Sequence, residues 1–341
     1  ACLAGGPVPA DAADRPRKPN IILIMADDLG WAELGCYGQK TVATPVIDLI
    51  AAHGTRFTQF YAGATESVAS RGTLLSGKLA ARGAQVGDTW GTVQKQDCTL
   101  AETLYQGGYE TGLFGVWGAG PLEVAGHPNS QGFRTFFGYL DDASAADYYP
   151  VTLWQNGEQI PLTGNQGGAK KHYAPDLIVE SAKRFVDAAY RRPFFLVVAF
   201  PMALSGDGSE VPDFGPYADR DWPTADKARA ALLTRVDEYV GQIVSKLEER
   251  RLLSRTITII TSDNGPHREG GNDPDNRRDM VFEENEGGEF DQYLELRGTH
   301  RYLSRNERSH HRTDLLARFH EESGPTIGIA EDFHSRPQSL P

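Results

Sequence analysis

Asn20-Ile21-Ile22-Leu23-Ile24-Met25-Ala26-Asp27-Asp28 is the stretch on which the fold turns. A continuous apolar run of this kind marks a strand buried on both faces, as in a parallel sheet covered by helices. It leads directly into two adjacent carboxylates, which repel one another unless a cation or a strong donor stands between them. Ligands of open α/β sheets bind beyond the carboxyl ends of the strands, so this exit is where a hard-metal site is expected. Read alone, the two acids also fit a solvated turn.

Two later runs resemble the first. Phe194-Phe195-Leu196-Val197-Val198-Ala199-Phe200 follows Pro193, and Thr256-Ile257-Thr258-Ile259-Ile260-Thr261-Ser262 runs into Asp263-Asn264-Gly265. Tyr109 to Val116 and the alternating Arg56 to Tyr61 add two more predicted strands. Between them lie helical segments: one opened by Thr44-Pro45 and stopped by Gly54, then Ser70 to Ser76, Thr99 to Gln106, Pro175 to Tyr190 and Thr224 to Arg250. Asp141 and Asp142, in the aromatic segment Phe133 to Tyr149, read as exposed. Strands alternating with helices define an α/β class with a large, mainly parallel sheet flanked by helices on both faces.

The 341 residues suffice for one large or two ordinary domains. A net charge of −12 argues against a nucleic-acid partner, while a bound cation would still allow an anionic small substrate. No apolar run approaches the length of a transmembrane span. Cys2, Cys36 and Cys98 do not make a disulfide framework. Ala10-Asp11-Ala12 resembles a secretory cleavage site and Cys2 a lipid-attachment site. Either implies export, periplasmic, secreted or lipid-anchored; a cloning remnant or plain tail fits the same residues. Beyond Asp275 the composition turns Arg- and His-rich, without lysine, and carries no strand run; a helix is expected only near Thr313 to Glu322. That change is consistent with a frame shift or truncation. The expected organisation is therefore a tail over 1–18, a catalytic domain over 19–275 and an atypical tail over 276–341, with a C-terminal subdomain missing or irregular.

Asp27, Asp28, Asp263 and Asn264 together offer three carboxylates and an amide carbonyl, a donor set that suits Ca²⁺ or Mg²⁺. Between the two pairs lies Ser67-Val68-Ala69-Ser70-Arg71, followed by Leu74-Leu75-Ser76-Gly77. With Asp27-Asp28-Leu29-Gly30-Trp31, Gly35-Cys36-Tyr37-Gly38, Thr44-Pro45-Val46-Ile47-Asp48 and Asp263-Asn264-Gly265-Pro266-His267, in that order, the chain resembles the type I (arylsulfatase-like) sulfatases of the alkaline-phosphatase-like superfamily. The resemblance implies that fold and the hydrolysis of sulfuric esters, of small molecules or glycans. It also implies a divalent cation, here on Asp27, Asp28, Ser67, Asp263 and Asn264, and a formylglycine made from Ser67 by a maturation enzyme. The hydrated aldehyde attacks sulfur in line, and its second hydroxyl allows the product to leave; an ordinary serine lacks that hydroxyl and would give a single turnover. Arg71 would hold the nucleophile through charge-assisted hydrogen bonds.

The chain departs from the family pattern at the sulfate-binding side. Val116 stands where the family carries a lysine, Gly118 where a histidine often follows, and Leu204 where a further histidine is expected. Losing one preorganised charge stabiliser costs on the order of 10²–10³ in kcat. Catalytic impairment is thus an alternative: a pseudo-sulfatase retaining a metal or ligand site. A phosphoesterase relative with unmodified Ser67 is a lesser one, since the extra His and Asp ligands it needs are not found. His127 and His267 are candidates for cleft residues or for loop and cap roles, and His53 for an exposed helix end.

Overall fold

The computed structural model describes residues 18–86, 89–202, 208, 210–265 and 316–318. The strands are β1 (Asn20–Ala26), β2 (Gly54–Arg56), β3 (Ala84–Val86), β4 (Thr89–Thr92), β5 (Glu110–Val116), β6 (Thr135–Tyr139), β7 (Thr152–Gln155), β8 (Glu158–Pro161), β9 (Phe194–Phe200), β10 (Thr256–Ser262) and β11 (Leu316–Arg318). The helices are α1 (Pro45–His53), α2 (Ser67–Ser76), α3 (Leu100–Gln106), α4 (Leu122–Ala125), α5 (Asp142–Ala145), α6 (Ala174–Ala189) and α7 (Thr224–Glu249).

Nine strands form one sheet in the order β2-β11-β10-β1-β9-β5-β6-β7-β8, and β3 and β4 pair separately. From β10 through β6 the pairing is parallel, and both margins are antiparallel. The three apolar runs become the centre of this sheet, with β1 lying between β9 and β10. Successive side chains of a strand point to opposite faces. Ile22 and Ile24 accordingly join the core under α1, α6 and α7, while Leu23 packs with Leu75 of α2 and Ala101 of α3 on the other face. Burial on both sides explains why these strands read as unbroken apolar runs rather than as alternation.

Register carries the fold to the site. Ala26 of β1 pairs with Ser262 of β10, so the residues that follow, Asp27-Asp28 and Asp263-Asn264, leave the sheet side by side. The expected α/β architecture, mainly parallel with helices on both faces, is the one observed.

Three local expectations differ. The strand expected from Arg56 to Tyr61 is instead β2, Gly54–Arg56, because pairing with β11 covers only those three residues. The helix expected from Ser70 begins at Ser67. Within the segment expected to be helical near Thr313, Leu316–Arg318 is a strand pairing with both β10 and β2. Residues 1–17 of the proposed tail and most of 276–341, with Leu204 and His267, lie outside the described residues.

Candidate active site

Each site residue is delivered by the end of a regular element. Asp27 and Asp28 follow β1, Asp263 and Asn264 follow β10, and Ser67 is the first residue of α2. Asp28 has φ 55°, a left-handed conformation that costs a non-glycine residue and is sustained only where the surroundings fix it. They do so here: Asp28 N donates to Asp263 Oδ1 at 3.1 Å, and the Asp28 carbonyl accepts from Arg229 Nη2 at 2.8 Å. Arg229 is wholly buried, makes two 2.8 Å contacts to the Glu33 carboxylate, and also donates to Met202 O at 3.0 Å. Glu33 accepts in turn from Gly30 N at 2.7 Å. On the β10 side, Ser262 Oγ accepts from Leu29 N at 2.9 Å and lies 2.8 Å from Ala26 O. The two strand exits are thereby tied to each other.

Ser67 Oγ stands 3.1 Å from Asp27 Oδ1 and 3.0 Å from Asn264 Oδ1. A hydroxyl has one proton, so it serves only one of these acceptors at a time. Asn264 Nδ2 donates to Asp28 Oδ1 and to Gly265 O, which turns the amide carbonyl toward Ser67. Carboxylate oxygens of Asp27, Asp28 and Asp263 lie within 4.8 Å of one another, and all three residues are buried. Burial, together with the charge of Asp263, holds the Asp27 carboxyl well above the usual range, with Arg71 opposing. Burial also raises Asp263, Arg71 again opposing.

Arg71, one turn along α2 from Ser67 and 2% exposed, is set among these acids. Its Nη2 is 2.9 Å from Asp27 Oδ1 and 3.0 Å from Asp263 Oδ2, and its Nη1 pairs with Asp142. Asp27 Oδ1 is thus shared between Arg71 and Ser67. With Asp142, four carboxylates face one guanidinium, an excess of negative charge that a divalent cation would reduce. The donors are all oxygen, three of them anionic, so the residues present fit Ca²⁺ or Mg²⁺.

The structure brings together all six expected residues, Asp27, Asp28, Ser67, Arg71, Asp263 and Asn264. It adds one that the sequence reading placed in solvent: Asp142, half-buried, the first residue of α5. The available signal was a second Asp-Asp pair shortly after a strand, here β6. Of the departures, Val116 is 1% exposed and packed in the apolar core, and Gly118 has φ 46°. His127 caps the turn Pro128–Gln131, its Nδ1 accepting from Asn129 N at 3.2 Å. His53, exposed at the end of α1, contacts Leu49 O. Among the described residues no helix is long and apolar enough to cross a membrane.

The carboxyl ends of two neighbouring parallel strands thus gather acids, an amide and a helix-terminal hydroxyl around one point, a donor set that suits a hard divalent cation. The profile of the Sulfatase family matches residues 19–327, and the chain belongs to that family. It is 34% identical over 285 residues to arylsulfatase A of Homo sapiens, covering 73% of this chain and 52% of that protein. To the N-acetylgalactosamine-6-O-sulfatase of Bacteroides thetaiotaomicron it is 30% identical over 319 residues, covering 76% and 61%. Among solved structures, Ps i-CgsB matches with TM-score 0.62 and 26% identity, over 89% of this chain and 66% of that one. The chain spans about half the length of the arylsulfatase A relatives it matches.

Proposed function

We propose that the chain is a sulfuric ester hydrolase whose catalytic unit lies within 19–275. Asp27, Asp28, Asp263 and Asn264 would hold one divalent cation, Ca²⁺ or Mg²⁺, with Ser67 facing it. When bound, the cation polarises the sulfate oxygens and favours the ionised form of the nucleophile. As formylglycine, position 67 would offer the second hydroxyl on which product release depends.

The chain's own residues supply positioning and charge. The N-terminus of α2 presents Ser67 with backbone N–H groups that have no partner within the helix, favourable for a nearby anion. Asp27 Oδ1 and Asn264 Oδ1 are alternative acceptors for the one Ser67 hydroxyl proton, and together they bound its direction. Arg71 offsets part of the carboxylate charge that would otherwise repel an anionic ester. The observation that carries this reading is the Ser67 hydroxyl at 3.1 Å from Asp27 Oδ1 and 3.0 Å from Asn264 Oδ1, on strand ends set by the Ala26–Ser262 register. The names of the relatives point to aryl sulfates and sulfated amino sugars as the substrates to try first. Maturation of Ser67 by a separate enzyme, and the exported location expected from residues 1–18, belong to the same reading.

A second reading, a catalytically impaired sulfatase that keeps the cation site, is favoured by Val116 and Gly118. Val116 is turned into the core and Gly118 has no side chain, while Arg71 and Arg229 are both already committed to carboxylates. Two measurements separate the readings. Mass spectrometry of the Ser67 peptide after co-expression with a maturation enzyme detects formylglycine as a loss of about two mass units, the two hydrogens removed when an alcohol becomes an aldehyde. Hydrolysis of an aryl sulfate, abolished by chelation and restored by Ca²⁺, supports the enzyme. A fully modified chain that binds Ca²⁺ without hydrolysing aryl or amino-sugar sulfates supports the second reading.

A further inference from the structure

Asp142 has no place in the site derived from the sequence, yet it makes a direct ion pair with Arg71, the buried cation set among the acids. Arg71 divides its guanidinium in two directions. Nη2 faces Asp27 and Asp263, and Nη1 faces Asp142 at the start of α5. The pair lies against Gly118: a Cβ built at that position would overlap both Arg71 Nη1 and Asp142 Oδ1. With φ 46°, the Gly118 backbone is also in a region that disfavours any side chain. The absent side chain at 118, the tilt of Arg71 and the acid at 142 are therefore one arrangement, not three separate changes.

The geometry points to Asp142 as a positioning residue that draws Nη1 of Arg71 away from the cation ligands and leaves only Nη2 on them, with Gly118 leaving the space for it. This rests on the reading of Asp27, Asp28 and Asp263 as cation ligands. Asp142 acts in two ways that share a sign. It takes up Nη1, so the guanidinium reaches Asp27 and Asp263 through Nη2 alone. It also compensates the positive charge that a divalent ion would meet at close range. Without Asp142, Arg71 turns wholly onto the carboxylates that the ion needs, and its charge opposes the ion.

The test uses the full chain, with Ca²⁺ as the probe in isothermal titration calorimetry at fixed pH and ionic strength. Asp142→Asn weakens Ca²⁺ binding by roughly tenfold, a typical coupling for contacting charges. Gly118→Ala weakens it in the same direction with no change of charge, and Asp142→Glu restores most of the loss. Asp141→Asn removes an equal charge one residue away while keeping the acceptor that caps Ser144, and changes binding less than about twofold. Unchanged binding in Asp142→Asn, or an equal loss in Asp141→Asn, overturns the proposal. A second measurement needs no cation: urea unfolding in chelator of Asp142→Asn, Gly118→Ala and the double variant. Disruption of one shared pair makes the two substitutions sub-additive by about fivefold or more in the unfolding constant. Strict additivity overturns the pairing. A wild-type chain that binds no Ca²⁺ or Mg²⁺ sinks the hydrolase reading, and Asp142 is then judged on additivity alone.

Discussion

Glu33→Gln is the substitution whose consequences follow most directly from the structure. Glu33 and Arg229 are 4% and 0% exposed, and the carboxylate receives Arg229 Nε and Nη2, each at 2.8 Å, and Gly30 N at 2.7 Å. Glutamine keeps the shape and one acceptor but removes the charge. It also turns an amide donor toward a guanidinium that has only donors of its own. Breaking a buried pair on one side leaves an uncompensated charge and costs about 3–5 kcal/mol. With an unfolding entropy of about 2.1 cal/mol/K per residue, 1 kcal/mol corresponds to about 1.4 °C for 341 residues, so the midpoint of thermal unfolding should fall by about 4–7 °C. The loss should also reach the cation site, because the Arg229 that Glu33 anchors also holds the Asp28 carbonyl in its left-handed turn. Replacing both partners, Glu33→Met with Arg229→Met, separates the effects. An apolar pair of similar volume recovers much of the stability. It leaves the Asp28 carbonyl without its donor, so Ca²⁺ affinity stays low. Differential scanning calorimetry with and without Ca²⁺ reads both quantities. A Glu33→Gln chain within 1 °C of wild type would refute the burial of the pair, and full recovery of Ca²⁺ affinity in the double variant would refute its role at Asp28.

Three further outcomes are expected. Ser67→Ala removes the hydroxyl and with it the formylglycine precursor, so turnover of an aryl sulfate falls to background while Ca²⁺ binding persists through the carboxylates; titration calorimetry on the inactive variant checks the second half. In chelator, the raised Asp27 and Asp263 carboxyls make the folded chain bind protons more tightly than the unfolded one, so their contribution to stability is present at acid pH and is lost as pH rises through their folded values. Ca²⁺ reverses that trend, because its affinity climbs as protons leave; urea unfolding across pH 5 to 8 with Ca²⁺ or EDTA should give opposite slopes, and parallel slopes would count against the site. Asp237 accepts from Val46 N at 3.1 Å and Ile47 N at 2.8 Å at the start of α1, and burial pushes its carboxyl up to about 6. Its contribution is therefore full below the unfolded value near 4 and lost as pH rises through about 6; Asp237→Asn should flatten that window, and Asp237→Ala should cost about 1–2 kcal/mol at neutral pH by urea titration.

The central strands and the acid cluster at their exits could be read from the chain because their causes are local. A strand covered on both faces has to be apolar throughout, and an acidic pair at its exit is conspicuous against such a run. What was hidden depends on partners far away in sequence. Arg229 reads as one more charge on the amphipathic helix Thr224–Glu249, yet it is fully buried against Glu33, 196 residues earlier. The first turns of α2 have no apolar period to announce them: the buried residues are Ala69, Ser70, Arg71, Gly72 and Leu75. Gly72 has no side chain because the helix lies close to β4, where a Cβ at that position would overlap Gly91 O. Asp142 reads as solvated because the guanidinium that pairs with it stands 71 residues earlier. Short margins such as β2 and β11 are set by pairing alone, and three residues carry too little pattern to show it.

The proposed chemistry requires one ion between the ends of β1 and β10. Crystals soaked in Ca²⁺, with Mn²⁺ as an anomalous probe, should show a single strong peak. It should lie about 2.3–2.6 Å, the usual Ca²⁺–oxygen distance, from oxygens of Asp27, Asp28, Asp263 and Asn264, with position 67 beside it. A peak elsewhere, or none at saturating cation, would contradict it.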